Sequence, residues 1–242
     1  MRQQGETGSI GEVENGSPEW NSDQELFRLV TEELFTAVIG DICDVNGLRH
    51  QFIDPRIHCI LRGNPTPVMV GRAMPVLEAD VFSEPDGGEP FGKMLEALDG
   101  LRPGEIYICS GASHRYALVG EIMATAMLAR GARGAVCDGF VRDTEGLQSV
   151  GLPVYALGSY AQDQRGRGKV IEYRVPIEIA GVHIGEGDLI VGDADGVLVI
   201  PRDREEHIIT GALGKARSEN TVKKAIQDGM GAREAFRTYG IL

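Results

Sequence analysis

The segment over residues 120–145, GEIMATAMLARGARGAVCDGFVRDTE, constrains the fold most, because its pattern predicts a helix followed directly by a strand. Apolar residues recur there at helical spacing, namely Ile122, Met123, Ala126, Met127 and Ala129. Gly131 stands where such a helix would end, the run Gly134–Cys137 is typical of a short buried strand, and Gly139 marks a tight turn after it. A helix joined to a buried strand is a unit of α/β folds, which commonly bind ligands at the carboxyl ends of their strands.

Charged residues stand at both ends of this unit. Glu121 opens the helix, and Arg142 and Asp143 follow the turn, so the fold would bring them together. An arginine fork can hold a carboxylate with two hydrogen bonds, and an aspartate is a hard oxygen ligand suited to Mg2+ or Mn2+. Backbone N–H groups at the start of the helix, over residues 120–123, are donors that face any anion placed there. The pattern therefore favours a site for a metal-bound oxo acid.

The same residues also have an ordinary structural interpretation. An adjacent Arg142 and Asp143 in a loop form a solvated surface pair in many proteins, and Glu121 in a first turn simply complements the helix dipole. Spacing alone leaves both interpretations open.

Composition narrows the class of protein. The chain has 242 residues, an ordinary hydrophobic fraction of 42% and a formal net charge of −12. Such a charge opposes non-specific binding to nucleic acid, and an anionic substrate would need a local positive site, which Arg142 and a divalent metal would supply. No apolar run approaches the roughly 20 residues of a membrane-spanning helix, and the amino terminus lacks a signal-peptide core. We therefore expect a cytoplasmic protein with no membrane partner.

Cysteine and histidine usage argues against zinc-ribbon and redox sites. The four cysteines are widely separated and form no C-x-x-C pair, and the five histidines match no metal-binding spacing. His114 is the one histidine close in sequence to Glu121, and it is a candidate for the general base, whose identity the sequence leaves open.

Three regions are predicted along the chain. Residues 1–21 form a mobile tail, residues 22–202 the main domain, and residues 203–242 a helical extension. A capping box at Ser22 and Glu25 starts a helix whose apolar face continues to Val38. The extension should contain two helices, because the glycines of residues 229–231 interrupt it.

Further elements are predicted within the main domain. Residues 68–77 and 106–109 have strand patterns, and residues 89–98 have a helical one. Residues 189–191 and 197–200 predict a hairpin around Asp195 and Gly196.

Several segments carry a resemblance to a known family. GEIM, ARGARGAV, DGFVRD, LPVYALG and GDLIVGDADGVLVIP resemble the RraA-like family, which contains the 4-hydroxy-4-methyl-2-oxoglutarate and 4-carboxy-4-hydroxy-2-oxoadipate aldolases. The similarity extends over about residues 34–202, and its most specific element is an acidic residue followed, after twenty positions, by Arg-Asp: here Glu121, Arg142 and Asp143. The aldolases more often carry Asp at the first of these positions and an acidic residue three positions after the motif Asp, where this chain has Gly146.

The resemblance implies a fold and an assembly. It implies an α/β fold, a three-layer swivelling β/β/α-type catalytic domain over residues 22–202 with helical N- and C-terminal extensions. It further implies a homotrimer or homohexamer with active sites near subunit boundaries.

It also implies an activity. The family's enzymes are class II lyases, so the expectation is metal-dependent cleavage of a short 4-hydroxy-2-oxo (di)acid to pyruvate and a second oxo acid. The implied catalytic residues are Arg142, Glu121 and Asp143. The implied metal is Mg2+ or Mn2+, bound directly by Asp143 and through water by Glu121. The substrate would contact Gly120, Glu121, Ile122, Met123 and Arg142.

Two alternatives stay open. One is an oxaloacetate-type decarboxylase that uses the same site, and the other is a non-catalytic RraA-like regulator of an RNA-processing ribonuclease. The presence of both Arg142 and Asp143 favours an enzyme, whereas Gly146 leaves the non-catalytic regulator possible. No lysine lies in residues 120–145, which disfavours a Schiff-base mechanism.

Overall fold

A computed structural model describes residues 18–63, 65–83 and 90–240. The first half of the described chain contains α1 (Asp23–Glu33), α2 (Thr36–Val45), β1 (His58–Cys59), β2 (Met69–Asp80), α3 (Met94–Asp99), β3 (Glu105–Ser110), β4 (Ala117–Val119), α4 (Glu121–Ala129), β5 (Gly134–Cys137) and β6 (Phe140–Val141). The second half contains α5 (Thr144–Val150), β7 (Val154–Ala156), β8 (Gly158–Ser159), β9 (Gly168–Tyr173), β10 (Ile177–Ile179), β11 (Val182–Ile184), β12 (Leu189–Asp193), β13 (Gly196–Ile200), α6 (Glu205–Gln227) and α7 (Ala232–Tyr239).

An eight-stranded mixed sheet forms the centre of the molecule. Its strands follow the order β1-β7-β5-β3-β2-β12-β13, and β9 also pairs with β2. Strands β2, β3, β5 and β7 run parallel to one another, whereas β9 and β12 pair with β2 antiparallel. The sheet is nearly closed, because residues 51–53 bond to β13 just before the chain enters β1; Ile53 N donates to Val197 O at 2.9 Å.

Layers of apolar side chains cover both faces of this sheet. In β3, Tyr107 and Cys109 point to one face and Ile106 and Ile108 to the other, as the two-residue period of a strand requires. The first face packs against α3, α4 and α5, and the second packs against the β10–β11 hairpin and β12–β13. The helices α1, α2 and α6 cover the remaining side of β12 and β13. This arrangement confirms the predicted α/β fold.

A second sheet is small but positions the candidate site. Strands β4, β6 and β8 pair in parallel, with β6 in the middle. Their carboxyl ends lead directly into residue 120, residue 142 and residue 160. Three separate parts of the chain therefore meet at one edge.

The N-terminal helix differs from the sequence prediction. The capping box is confirmed, since Ser22 Oγ accepts from Glu25 N at 3.3 Å. The single helix is wrong, because the chain is extended at Leu34 and Phe35 and a second helix begins at Thr36. The buried carboxylate of Asp193 accepts from Thr36 N at 2.7 Å and from Thr36 Oγ1 at 2.8 Å, so a residue 157 positions away caps α2.

The helix predicted over residues 89–98 is shorter. Residue 89 lies outside the described residues, and α3 begins only at Met94. Gly92 has a φ of 59° and pairs with Val170 of β9, which takes the backbone out of helical geometry just before α3.

Other elements agree with the sequence. The strands predicted over residues 68–77 and 106–109 and the β12–β13 hairpin are confirmed. The two C-terminal helices are also confirmed, and the first half of α6 packs into the core beside α1 and α2. Of the tail predicted over residues 1–21, residues 1–17 lie outside the described residues, whereas Trp20 is buried against the same cluster. None of the helices in the described ranges combines the length and the apolar character that crossing a bilayer requires.

Candidate functional site

The carboxyl edge of the β4–β6–β8 sheet brings the charged motif residues together. Gly120 follows β4 and is the N-cap of α4, and Arg142 and Asp143 follow β6. The sequence predicted that these residues follow the buried strand β5 after a turn at Gly139; the structure adds the two-residue strand β6 between that turn and Arg142. Arg142 N donates to Val119 O at 2.9 Å, which fixes the two strand ends side by side.

The absence of a side chain at Gly120 permits the close approach of the two motif segments. A Cβ at residue 120 would lie 2.6 Å from Asp143 Oδ2 and 3.2 Å from Arg142 Cγ. In the space that glycine leaves, Asp143 Oδ2 accepts a hydrogen bond from Glu121 N at 3.3 Å. Asp143 itself has a φ of 56°, a left-handed conformation that Asp and Asn adopt more readily than most residues. The backbone thus aims this carboxylate at the start of α4.

Arg142 is held by a residue that the sequence analysis did not identify. Its Nη1 lies 3.0 Å from Asp163 Oδ1, and its Nε lies 3.5 Å from Asp143 Oδ2. Asp163 lies in the segment after β8, and the pairing of β6 with β8, together with the bond from Ala117 N to Gln162 O at 2.8 Å, brings it to the site. No local sequence signal marks it, because it belongs to neither an apolar period nor a recognised motif.

Glu121 lies against α5. A Cβ at Gly146 would lie 2.7 Å from Glu121 Cγ and closer still to its Cδ and Oε2. The two positions at which this chain departs from the aldolase pattern, Glu121 and Gly146, are therefore in contact.

At the first turn of α4, backbone N–H groups rather than an apolar helix face border the site. The predicted apolar face is partly wrong: Met123, Ala124 and Met127 face the core, whereas Ile122 is 84% exposed. Successive residues of a helix are rotated by about 100°, so Ile122 cannot share the face of Met123 and Met127. The N–H groups of Ile122 and Met123 lie in the turn where a helix offers no acceptor of its own.

The carboxylates of the site suit a cation that keeps most of its water ligands rather than one that is coordinated only by protein side chains. Over the described ranges, no three His, Cys, Asp or Glu side chains gather closely enough to hold a metal by themselves. Asp163 lies 3.0 Å from Arg142 Nη1, whereas Asp143 lies farther from Arg142, at 3.5 Å from Nε, and Glu121 is exposed, so Asp143 and Glu121 are the more available acids. Mg2+ usually keeps several waters and binds to only one or two protein carboxylates, so this pair fits it.

A cavity of about 430 Å3 lies beside α5. Its lining includes Arg62, Thr144, Glu145, Gln148 and Ser159 but none of Glu121, Arg142 or Asp143. Gly146 faces Glu121, whereas Thr144, Glu145 and Gln148 line the cavity, so the two features lie on different sides of α5. We assign the chemistry to the charged edge, because that is where the arginine and the carboxylates converge.

His114, the candidate general base, contacts Asp138 and Phe140, which precede the motif residues. Its Nε2 is 3.6 Å from Asp138 Oδ1, and its ring packs edge-on against Phe140. The contacts described for His114 do not include Glu121, Arg142 or Asp143.

A buried carboxyl group supports the segment that carries Asp163. Gln164, the next residue, donates from Nε2 to Glu78 Oε2, and both side chains are buried. Desolvation raises the pKa of Glu78 to about 8, so the group is largely protonated at neutral pH. Within the described part of the chain, Glu78 Oε1 and the nearby Tyr107 hydroxyl have no hydrogen-bond partner. A carboxyl of this kind fixes the loop through a buried polar contact.

Comparison with known proteins places the chain in a family. Residues 36–199 match the sequence profile of the RraA-like family, Aldolase/RraA. A Halalkalibacterium halodurans protein with the provisional name 4-hydroxy-4-methyl-2-oxoglutarate aldolase is 32% identical over 146 residues, which cover 59% of this chain and 68% of the relative. The 4-hydroxy-4-methyl-2-oxoglutarate aldolase of Thermus thermophilus is 34% identical over 96 residues, covering 40% of this chain and 58% of that enzyme. The alignment thus spans about two thirds of one relative and little more than half of the other.

Solved structures share the fold. RraAS2 of Streptomyces coelicolor, described as an unusual member of the RNase ES inhibitor RraA protein family, matches with a TM-score of 0.72 over 85% of this chain and 99% of that chain, at 20% identity. The profile match covers well over half of the 242 residues and includes every motif residue of the site. The chain therefore belongs to the RraA-like family.

Proposed function

We propose that this protein is a divalent-metal-dependent class II lyase that cleaves a short 4-hydroxy-2-oxo (di)acid to pyruvate and a second oxo acid. The observation that carries this proposal is the convergence of Glu121, Arg142 and Asp143 at one edge of the small parallel sheet. Relatives that bear an aldolase name support it.

Arg142 would bind the substrate. Its side chain is 38% exposed, Asp163 lies 3.0 Å from Nη1 and Asp143 lies 3.5 Å from Nε, so the remaining donors of the fork can face a carboxylate or an enolate oxygen. The N–H groups of Ile122 and Met123 lie at the same edge of the small sheet and would donate to the substrate carboxylate. Binding would thus combine one arginine with the start of α4.

Asp143 would hold Mg2+ or Mn2+ directly, and Glu121 would hold it through water. When bound, the cation supplies positive charge next to the 2-oxo group, where negative charge develops during the reaction. The residues present suit this role, since the side chains of Glu121 and Asp143 are exposed and Asp143 Oδ2 accepts from Glu121 N at the start of α4.

The proposed reaction is a retro-aldol cleavage. The 4-hydroxyl group loses its proton, the C3–C4 bond breaks, and its electron pair passes into the enolate of pyruvate, which then takes a proton at C3. Arg142 would stabilise the enolate oxygen through charge-assisted hydrogen bonds. The absence of lysine in residues 120–145 argues against an amine electron sink.

Decarboxylation of an oxaloacetate-like acid is a second candidate at the same site. Among the described contacts, His114 is engaged with Asp138 and no other histidine approaches the motif residues. Loss of carbon dioxide forms the same enolate without a base for a hydroxyl group. The charged edge therefore serves either reaction.

The test is a substrate screen with the full chain. Purified protein with Mg2+ or Mn2+ should release pyruvate from at least one member of a panel of branched 4-hydroxy-2-oxo diacids and oxaloacetate, followed with a coupled lactate dehydrogenase assay. Asp143→Asn is the matched variant, because Asn tolerates the left-handed conformation while losing the charge. It should lose both divalent-metal affinity, measured by calorimetry, and activity.

Three results would overturn the proposal. Undiminished Mg2+ affinity in Asp143→Asn would reject the metal assignment. A covalent adduct trapped by borohydride in the presence of pyruvate, seen by mass spectrometry, would reject the class II mechanism. Pyruvate release from no member of the panel, with metal bound, would reject the lyase itself.

A further inference from the structure

Gly146 occupies an unusual position for a glycine. It lies within α5, a helix of only seven residues, where glycine is less favourable than alanine because it leaves the unfolded chain more conformational freedom. A Cβ there would lie 2.7 Å from Glu121 Cγ, well inside ordinary van der Waals contact. The helix therefore carries a residue that weakens it at the point where the side chain of Glu121 crosses.

The neighbouring positions connect this contact to the site. Asp143 is the N-cap of α5, and Gly146 lies in the first turn of that helix. Asp143 Oδ2 already accepts from Glu121 N at 3.3 Å. Backbone and side chain of Glu121 thus both lie against the turn that begins at Asp143.

We propose that Gly146 is a positioning residue for the Glu121 carboxylate. Because residue 146 has no side chain, Glu121 can lie against α5. The carboxylates of Glu121 and Asp143 can then bind the same cation, one from α4 and the other from the turn before α5. This inference rests on the proposed function, because it concerns the metal site of that lyase. A side chain at residue 146 would displace a flexible glutamate rather than a rigid backbone, so the fold should survive the change.

Gly146→Ala is the direct test, and Gly214→Ala is its matched control. Gly214 lies inside α6, and a Cβ there would meet nothing within 4 Å. In metal-free protein, Gly214→Ala should raise the melting temperature by about 2–4 °C through helix propensity. Gly146→Ala should leave it unchanged or higher.

Metal affinity separates the two variants. Binding of Mn2+ to the full chain, measured by calorimetry and by electron paramagnetic resonance, should weaken roughly tenfold or more in Gly146→Ala, as for other groups that orient a metal ligand. Gly214→Ala should bind Mn2+ as the wild type does. In a Glu121→Ala background, the group that a Cβ at residue 146 would meet is removed, so the added Gly146→Ala change should alter affinity much less.

The outcomes distinguish this proposal from the function on which it rests. A wild type that binds no Mn2+ would overturn the metal site and the positioning role together. A wild type that binds Mn2+ while Gly146→Ala binds it equally well would overturn the positioning role alone. If Gly146→Ala loses both stability and affinity, recovery of stability on adding Glu121→Ala supports the contact, and failure to recover shows that Gly146 serves helix packing only.

Discussion

Arg142 and Asp163 form an ion pair at 3.0 Å between the residue after β6 and the segment that follows the neighbouring strand β8. Both side chains are a little under 40% exposed, so the pair adds little to stability, on the order of 0–1 kcal/mol. Its effect is geometric. The carboxylate fixes one nitrogen of the fork and thereby sets the direction in which the others face.

Asp163→Asn should therefore impair function more than stability. The substitution keeps the size of the side chain and removes the charge, so Arg142 loses its fixed direction. We expect catalytic efficiency to fall about fivefold, which corresponds to about 1 kcal/mol for a partly exposed pair. Steady-state kinetics on a verified substrate measures this. Asp99→Asn, which removes the partner of Arg130 in another exposed pair, is the control and should leave kinetics unchanged. If Asp163→Asn and Asp99→Asn had the same kinetics, Asp163 would be an ordinary surface residue that does not orient Arg142.

Arg142→Lys should be clearly impaired although it keeps the positive charge. Lysine cannot form the planar two-point contact of a guanidinium. Loss of one charge-assisted hydrogen bond, about 1.5–3 kcal/mol, should lower catalytic efficiency roughly ten- to a hundredfold. The same assay measures it, with Arg130→Lys as control. Wild-type catalytic efficiency in Arg142→Lys would mean that Arg142 only forms a solvated surface pair.

Stability should depend on pH through Glu78. Burial raises the pKa of this group in the folded chain to about 8 from an ordinary value of 4.5. Between these values the folded state holds a proton that the unfolded state has released, so the contribution of Glu78 to the free energy of unfolding falls as pH rises. The slope is up to about 1.4 kcal/mol per pH unit, and it ends above the folded pKa.

Glu78→Gln isolates this effect, because the amide keeps an acceptor for Gln164 and cannot ionise. In urea denaturation at pH 5, 6, 7 and 8, the free energy of unfolding of the variant should increase relative to that of the wild type as pH rises. Parallel pH profiles for the two proteins would mean that Glu78 ionises normally in the folded state.

The protein should assemble into a trimer or hexamer. The site is open in the single chain, where Ile122 at its edge is 84% exposed, although an enolate is better stabilised when water is excluded. Phe236 and Tyr239 on α7 are also exposed, at 55% and 38%, and Leu242 lies outside the described residues. Light scattering should report a trimer or hexamer, and activity should fall on dilution together with dissociation. A fully active monomer would contradict the assembly and leave the metal site unaffected.

Local patterns sufficed for much of the fold but for only part of the site. The helix α4, the strand β5 and the β12–β13 hairpin follow from periodicity and turn residues within one segment. The strands β4, β6 and β8 contain two or three residues each, too few to show a period, so the small sheet could not be predicted. Asp163 and the Asp193 cap of Thr36 depend on pairing between distant segments, which local spacing does not encode.

The small parallel sheet has a consequence for how such a protein can diverge. The segments that follow its three strands supply the charged groups of the site, and these side chains are exposed or half-buried rather than part of the apolar clusters. Such charged side chains can therefore be exchanged without disturbing the packing that holds the molecule folded. Descendants of one ancestral chain could acquire new substrates, or lose chemistry altogether, through a few substitutions at a single edge.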